Sequence, residues 1–330
     1  MDNDTEVFKL LSLPSVALGQ IIKGVTSKDL FALVQCSSKT MRTLQFFERS
    51  NKIFKMGVDF QRFFVEVRHV RTYYAKARDD DEKYEESKTF DGEEVPITDE
   101  EERDHFKTYW PEDQMLHATK QLAQHFINTL GIGTLEQIFI AEDDPAMEIL
   151  DWADQHKLVM DNFNLVAAQP ENTLALAERV FSNEFMEKVK VNFTSFIELP
   201  EDFKPTRWTT DKVVCSGKFQ IHFAHWFTID HLMSMYVESL LLYRCKLTAE
   251  DINKFLTAWR DGTQTAIAYV SLHLTEKVKL EDILKGLVDP ATICKSVMMR
   301  ESASFARPFD GKVIRLELED EYKNFQATVD

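Results

Sequence analysis

Residues 239–262 read SLLLYRCKLTAEDINKFLTAWRDG, a strand pattern followed at once by a helix pattern. The apolar run that ends at Cys245 is typical of a buried strand. Thr248 and Asp251 then have the form of a capping box at a helix start, with Asp in place of the usual Glu or Gln. Apolar side chains follow at positions i, i+3, i+4 and i+7, and Gly262 comes just past the helix end. Those side chains are Ile252, Phe255, Leu256 and Trp259.

The same strand-helix pattern recurs on both sides of this unit. Residues 266–274 alternate as a strand, and Leu280, Ile283, Leu284 and Leu287 continue at helical spacing. Most strand candidates begin 20 to 29 residues apart, the interval of a strand, a turn and a helix. They begin near Gln137, Asn162, Lys190, Phe219, Ser239, Ala266 and Lys312. We therefore expect an α/β fold with a leucine-rich-repeat-like strand-helix array, an α/β solenoid. The LxxLxLxxN consensus is absent, and a doubly wound sheet is the alternative.

A longer helix pattern precedes the array. Residues 112–130 place six apolar side chains on one side, and Gly131 follows as a helix stop. The six are Met115, Leu116, Leu122, Phe126, Ile127 and Leu130. This pattern predicts an amphipathic helix that ends at Leu130.

The N-terminal stretch predicts three short helices. Pro14 suits a first helical position, an apolar stripe runs from Val16 to Val25, and Gly24 ends that helix. Ser27 is a candidate N-cap for a second helix, and Ser37 or Ser38 for a third that contains Met41, Leu44 and Phe47. A unit of this size buries too little apolar surface to be stable alone, so we expect it to lean on the rest of the chain or on a partner.

Composition predicts an intracellular protein of two parts. The chain has 330 residues, 25 of them Phe, and a formal charge of −16. The acidic balance argues against nucleic-acid or membrane partners. The sequence holds no long apolar run, and its start, MDNDTE, is unlike a signal peptide. The four cysteines (Cys36, Cys215, Cys245 and Cys294) are far apart, which favours reduced thiols over a disulfide framework.

Charge is concentrated in one segment. Residues 79–104 hold fourteen Asp or Glu against three Lys or Arg, with sparse apolar residues, and predict a solvated mobile loop. Residues 52–78 are basic and aromatic, a composition that nucleic-acid surfaces share. The alternation through Phe64, Glu66, Arg68 and Val70 instead favours one or two strands.

The candidate chemical sites are weak. Gly131 and Gly133 follow a helix pattern, so they do not form a dinucleotide fingerprint. A zinc site from Cys215, Cys245 and three histidines is conceivable. Two of those histidines would face opposite sides of one strand. The three are His222, His225 and His231. The acidic cluster at residues 142–144 precedes a helix, which is a capping pattern first. We predict no catalytic, cofactor or metal site.

The order of apolar residues in the N-terminal stretch resembles an F-box. The matching positions are Leu13, Pro14, Leu18, Ile22, Leu30, Leu33, Cys36, Ser38 and Met41. No Trp follows Ser38-Lys39, a feature common among nematode F-boxes. The resemblance implies binding to the Skp-type adaptor of a cullin-RING ubiquitin ligase. Adaptor contacts are then expected from Leu13, Pro14, Leu18, Ile22, Leu30 and Leu33, although some of these residues must hold the helices together.

The pattern DxNxFLxxW carries a second resemblance. It lies in Asp251, Asn253, Phe255, Leu256 and Trp259, with Gly262 and the strand Tyr269 to Leu272 behind it. The run from Thr228 to Leu274 resembles the F-box-associated domain of type 2 in nematodes. This resemblance implies a target-recruiting module and supplies no binding residues.

Together these patterns predict three regions. They are an F-box at residues 5–49, connecting strands with the acidic loop at 50–110, and an F-box-associated target-binding domain at 111–330. The expected protein is a non-catalytic, substrate-recruiting adaptor of an SCF-type ubiquitin ligase, cytoplasmic or nuclear. Its expected partners are a Skp-type adaptor, through it the cullin, and a protein target of unknown identity. A non-ligase scaffold with a helical N-terminal cap is the alternative, and an enzyme of unrecognised chemistry is a third.

Overall fold

The fold comes from a computed structural model. It describes residues 15–25, 29, 40–45, 54–67, 70–79, 84, 86–90, 92–100, 105–141, 145–166, 173–208, 213–264, 266–289, 291, 293–295, 301–319 and 323–330. The chain divides into two units. Unit 1 is Met1–Ile138 with Trp152–Leu158, and unit 2 is Phe139–Asp151 with Val159–Asp330. No helix in the described ranges combines the length and the apolar character that crossing a membrane requires.

Unit 1 combines a mixed sheet with one long helix. Its helices are α1 (Ser15–Gly24) and α2 (Met115–Leu130), and residues 40–45 are also helical. Its strands are β1 (Met56–Asp59), β2 (Phe64–Val67), β3 (Arg71–Ala77), β4 (Glu86–Phe90), β5 (Glu93–Glu100), β6 (His105–Trp110) and β7 (Thr134–Ile140). The sheet order is β7-β1-β2-β3-β6-β5-β4. Strands β3 and β6 pair in parallel, whereas the pairs β1-β2, β2-β3, β5-β6 and β4-β5 are antiparallel.

Helix α2 confirms the amphipathic prediction. Leu122, Phe126 and Leu130 are buried, and the Tyr73 ring of β3 lies 4.5 Å from the Phe126 ring. Gly131 ends the helix in the left-handed region at φ 74°, and its N–H donates to the Ile127 carbonyl. A helix that stops in this way needs a residue without a Cβ at that position.

The prediction of a loop over residues 79–104 is wrong for β4 and β5, which pair as an antiparallel hairpin. The apolar side chains that the hairpin buries are Phe90, Val95 and Ile97. Two of its acidic residues pair with cations of other strands: Asp99 with Arg71 of β3 at 2.6 Å, and Glu100 with Lys107 of β6 at 2.5 Å. The described part of the charge run, β4 and β5, is therefore an exposed strand surface, and the few apolar residues at alternate positions hold it to the sheet.

The N-terminal helices are described only in part. Leu18 and Ile22 of α1 and Leu44 of the 40–45 helix are buried, and the predicted second helix lies outside the described residues except for Asp29. A three-helix F-box is thus not evident in the described part. The Gln45 side chain donates to the carbonyls of residues 128 and 129 at the end of α2, at 2.6 and 3.2 Å. This contact satisfies carbonyls that a helix end leaves unpaired, so the N-terminal segment does lean on the rest of unit 1.

Unit 2 alternates strands and helices before it ends in a meander. The helices are α3 (Ala146–Gln155, which begins in unit 2), α4 (Thr173–Val180), α5 (Asn183–Met186), α6 (Ile229–Ser234), α7 (Ala249–Arg260) and α8 (Leu280–Ile283). The strands are β8 (Val159–Leu165), β9 (Val189–Ser195), β10 (Val213–Ile221), β11 (Met235–Cys245), β12 (Tyr269–Leu274), β13 (Cys294–Lys295), β14 (Glu301–Ala306), β15 (Val313–Glu319) and β16 (Asn324–Val329).

The strand order of unit 2 follows the chain. β8, β9, β10, β11 and β12 are neighbours in that order, and each pair is parallel. Parallel crossovers are nearly always right-handed, so crossovers that step in one direction place their helices on one face. Beyond β12 the order is β16-β15-β14-β13, and those pairings are antiparallel. The predicted strand near Lys312 exists as β15, but it belongs to this meander, so the predicted repeat does not extend to it.

One face of the parallel strands is apolar and covered. Phe163, Phe193 and Phe219 are fully buried there, with ring centroids 5.6 and 4.8 Å apart and nearly parallel planes. The Phe185 ring of α5 lies 4.9 Å from Phe163, and the Phe181 ring, just past α4, lies 6.0 Å from Phe193. We call these three strand residues the buried Phe row and this side the covered face. The result is a mixed α/β fold dominated by its sheet.

Helix α7 has the ends that the sequence predicts. The Thr248 hydroxyl accepts from the Asp251 N–H at 3.2 Å, and the Asp251 carboxylate accepts from the Thr248 N–H at 2.9 Å. Gly262 follows at φ 80°. The four predicted apolar residues of the helix are buried: Ile252, Phe255, Leu256 and Trp259.

Candidate functional site: the open face of the parallel strands

The second face of β8 to β12 carries polar and aromatic side chains that are mostly only partly buried. Along β11 the buried residues Leu240 and Leu242 alternate with the partly exposed Leu241 and Tyr243. Strands β8 and β9 end in a similar alternation, whereas β10 and β12 also bury Gln220 and Ser271. We call this side the open face. In a sheet with one solvated face, this is the face available to a partner.

Four aromatic rings stack across the open face. They are Phe196, His222, Tyr243 and His273, and we call them the aromatic ladder. Successive ring centroids lie 3.6, 4.4 and 4.3 Å apart, with interplanar angles of 20°, 9° and 15°. All four side chains are partly exposed.

Strand register places these rings in line. Tyr243 lies directly opposite His273, and Ile221 lies opposite both Ser195 and Leu242. The residues that follow Ser195 and Ile221 are Phe196 and His222, so each strand brings one ring to the same level. Because stacking occupies the ring faces, the ladder presents ring edges to solvent, and those edges carry the positive part of the aromatic quadrupole.

The surroundings of His222 favour its neutral form. Burial first, and then the charges of Lys218 and His273, lower the pKa of His222 below its ordinary value of 6.5. The Gln220 side-chain nitrogen lies 2.5 Å from His222 Nε2. A neutral His222 accepts this amide hydrogen at Nε2 and keeps its own proton on Nδ1. The ring can therefore stay uncharged inside the stack.

Lys218 is held on the open face by a bulge in β10. The register shifts between Cys215 and Lys218, and the Lys218 N–H donates to Asn192 Oδ1 at 2.8 Å. A Cβ on Gly217 would lie 2.7 Å from that same oxygen, so only glycine fits there. Among the described residues, no carboxylate is found in an ion pair with the Lys218 ammonium. Its charge is left to act on the open face.

Arg244 flanks the ladder at the end of β11. It has φ 55°, and the register shifts between Tyr243 and Cys245, so Arg244 is the extra residue of a second bulge. Its guanidinium lies 4.7 Å from the Phe223 ring centroid, and its contact with Glu198 is long, at 3.9 Å, between two well-exposed side chains. A non-glycine residue in this region is strained, and such strain clusters at functional sites.

The predicted adaptor-binding residues fall into two groups. Leu13, Pro14, Leu30 and Leu33 lie outside the described residues. Leu18 and Ile22 are buried in α1, 5% and 4% exposed. Burial suits the part of that prediction in which some of these residues hold the N-terminal helices together.

The candidate zinc ligands have separate structural contacts. His222 belongs to the ladder, His225 Nε2 lies 2.7 Å from the Pro200 carbonyl, and His231 completes the capping box of α6 with Thr228. Burial raises the pKa of Cys215, and it raises that of Cys245 to about 12. Within the described ranges no group of three or more His, Cys, Asp or Glu is placed to hold a metal ion, and residues 142–144 lie outside those ranges.

The DxNxFLxxW residues prove to be structural. Asp251 caps α7, and Asn253 donates to the carbonyls of Ile283 and Lys285 at 2.6 and 3.0 Å, which ties α8 to α7. Trp259 is buried beneath Arg307, whose guanidinium lies 4.6 Å from the ring centroid. The motif that carries the resemblance therefore builds the domain and leaves recognition to other residues.

Sequence reasoning missed the aromatic ladder. A signal existed: each ring lies late in a predicted strand, in the stretches KVNFTSFI, FQIHF, SLLLYRC and AIAYVSLHL. Only the register, which the sequence does not give, shows that these positions align.

Comparisons with known proteins agree with the second resemblance. Residues 213–272 match the family model described as F-box associated, which covers β10 and β11, α6 and α7, and β12 up to Leu272. The Skn-1 dependent zygotic transcript 15 protein of Caenorhabditis elegans is 24% identical over 184 residues. That alignment covers 55% of this chain and 52% of the relative. No solved structure matches the chain. Both the match and the relative fit the predicted resemblance to a nematode protein with an F-box-associated domain of type 2.

Proposed function

We propose that the chain is the substrate-recruiting adaptor of an SCF-type cullin-RING ubiquitin ligase. The observation that carries the proposal is the F-box-associated match over residues 213–272, the region that builds the centre of the open face. The N-terminal stretch, which resembles an F-box, is the part that binds the ligase in this proposal. In this proposal β8 to β12 act as a short, leucine-rich-repeat-like solenoid whose open face holds the target, inside the cytoplasm or nucleus.

The proposed mechanism is proximity. The F-box fixes one end of the chain to a Skp-type adaptor and, through it, to the cullin. A target held on unit 2 then meets the charged ubiquitin-conjugating enzyme at high effective concentration. The chain itself supplies no catalytic group in this scheme.

Burial of two of the predicted residues narrows the set of proposed adaptor contacts. Leu18 and Ile22 are assigned to packing inside the chain, because both are buried. Leu13, Pro14, Leu30 and Leu33 remain as the proposed adaptor contacts.

A binding assay with purified Skp-type adaptor tests this proposal. The double substitution Leu13→Ala and Pro14→Ala should weaken binding at least tenfold, since buried apolar anchors dominate such interfaces. Arg42→Ala, on the exposed side of the 40–45 helix, is the matched control and should leave binding unchanged. Absence of binding by the full chain, or binding that survives deletion of residues 1–49, contradicts the adaptor function.

A second function has one specific observation in its favour. The Gln45 side chain caps the end of α2, as a purely structural N-terminal helix cap would do. In that case the chain is a non-ligase interaction scaffold, and the same assay gives no adaptor binding although the open face still binds its target.

A further inference from the structure

We propose that the open face of unit 2 binds an extended, acidic polypeptide segment of its partner. This deepens the proposed function by naming the chemistry of the target. Binding of an acidic segment to the open face can be measured without any ligase component, so this proposal and the proposed function can fail separately.

The dimensions of the open face suit an extended segment. Five parallel strands lie side by side from β8 to β12. At about 4.8 Å between neighbours, the face is roughly 19 Å across. A polypeptide that crosses it needs roughly six extended residues. The aromatic ladder runs in that crossing direction, since it takes one ring from the end of each of four neighbouring strands.

The charges of the open face favour carboxylates. Lys218 has no ion-paired carboxylate among the residues that the structure describes, and after burial its positive charge is the next cause that lowers the pKa of His222. Arg244 stands at the rim with 66% of its side chain exposed and only a long contact to Glu198. Lys218 lies on β10, four residues before His222, and Arg244 directly follows Tyr243 on β11.

The ladder adds to this preference. Its exposed ring edges are the positive part of each ring, so oxygen atoms of carboxylates and carbonyls are favoured contacts. Tyr243 adds a phenol, which can donate to a carboxylate or a carbonyl. An acidic extended segment supplies both kinds of oxygen along its length.

The spacing of the cations on the open face favours a peptide partner over a nucleic acid. Nucleic-acid binding requires several cations that neutralise successive phosphates. Lys218 lies opposite Ser239 in the strand register, five residues before Arg244, so these two cations are far apart on the open face. A chain with isolated carboxylates fits that arrangement better than a continuous phosphate backbone.

Selection from a phage library of random dodecapeptides, panned on the immobilised full chain, tests the proposal. Asp and Glu should be enriched about threefold or more over the input library, the factor that one exposed charge pair contributes. The double charge reversal Lys218→Glu and Arg244→Glu should abolish that enrichment. Higher salt should also weaken binding of a selected peptide.

A matched control separates local from global charge. Lys254→Glu with Lys285→Glu changes the net charge equally, at exposed positions on α7 and just past α8. This variant should keep the acidic enrichment. Lys218→Gln with Arg244→Gln gives the same test without introducing carboxylates, in case charge reversal disturbs folding.

The contrary results are distinct. Enrichment of basic or neutral peptides overturns the proposal, and so does acidic enrichment that survives the Lys218 and Arg244 substitutions. Binding of single-stranded oligouridylate that competes with the selected peptides overturns it in favour of a nucleic acid.

Discussion

Two stacks of aromatic rings occupy opposite faces of the parallel strands, one on β8 to β10 and the other at the ends of β9 to β12. The buried Phe row on the covered face consists of three identical, fully buried rings. The aromatic ladder on the open face instead consists of one phenylalanine, two histidines and one tyrosine, and all four side chains are partly exposed. The pairing of the parallel strands aligns the rings of both stacks. Only the side chains of the ladder carry hydrogen-bonding and titratable groups. The comparison assigns stability to the covered face, and our proposal places recognition on the open face.

The largest expected difference is between two phenylalanines of one strand. Phe193→Ala should reduce the free energy of unfolding by about 3–5 kcal/mol, because it leaves a cavity in a fully buried row. Phe196→Ala makes the same change three residues later, at the partly exposed end of the ladder, and should cost about 1 kcal/mol. Urea unfolding of the two variants measures the difference. Equal costs would remove the distinction between the faces.

Gly217 tests how the bulge places Lys218. A Cβ there would lie 2.7 Å from Asn192 Oδ1 and 2.9 Å from the Val191 carbonyl. Gly217→Ala should therefore cost about 1–3 kcal/mol in urea unfolding. Gly133→Ala is the control, since nothing lies within 4 Å of its added Cβ. A Gly217→Ala chain as stable as the control would show that the close approach is not maintained in solution.

Stacking within the ladder should produce a smaller effect. The Tyr243 and His273 rings lie 4.3 Å apart and nearly parallel. A double-mutant cycle with Tyr243→Ala and His273→Ala should yield a coupling of about 0.5–1 kcal/mol. Additive effects of the two substitutions would mean that these rings are neighbours without interacting.

The smallest expected effect is a pH dependence that belongs to the open face. Burial, Lys218 and His273 lower the pKa of His222 below its ordinary value of 6.5. The unfolded chain therefore binds the proton more tightly, and stability falls as pH drops below about 6.5, until the folded-state pKa is passed. His222→Gln should flatten this part of the stability profile. Since His231 also has a lowered pKa, part of the dependence should remain.

Local signals predicted the elements well. Helix α7 has its capping box, its apolar spacing and its terminal glycine within fifteen residues of sequence, so nothing distant had to be known. Helix α2 and the parallel strands were predicted on the same grounds. Here short-range spacing alone determines the element.

The features that the sequence did not predict depend on pairing between strands that are distant in the chain. Asp99 and Glu100 of β5 form ion pairs with Arg71 and Lys107 on other strands, so charge density misled the loop prediction. The antiparallel meander and the ladder likewise depend on register between distant strands. Phe196 and His273 stand 77 positions apart in the printed sequence, and no local pattern relates them.

Proximity labelling in cells tests the central claim most directly, with the wild-type chain, Tyr243→Ala and the control Lys254→Ala. Tyr243 lies at the centre of the ladder, whereas Lys254 is exposed on α7. We predict that Tyr243→Ala loses the labelled target proteins while remaining folded, and that Lys254→Ala retains them. A labelled set that Tyr243→Ala leaves unchanged would contradict the assignment of recognition to the open face.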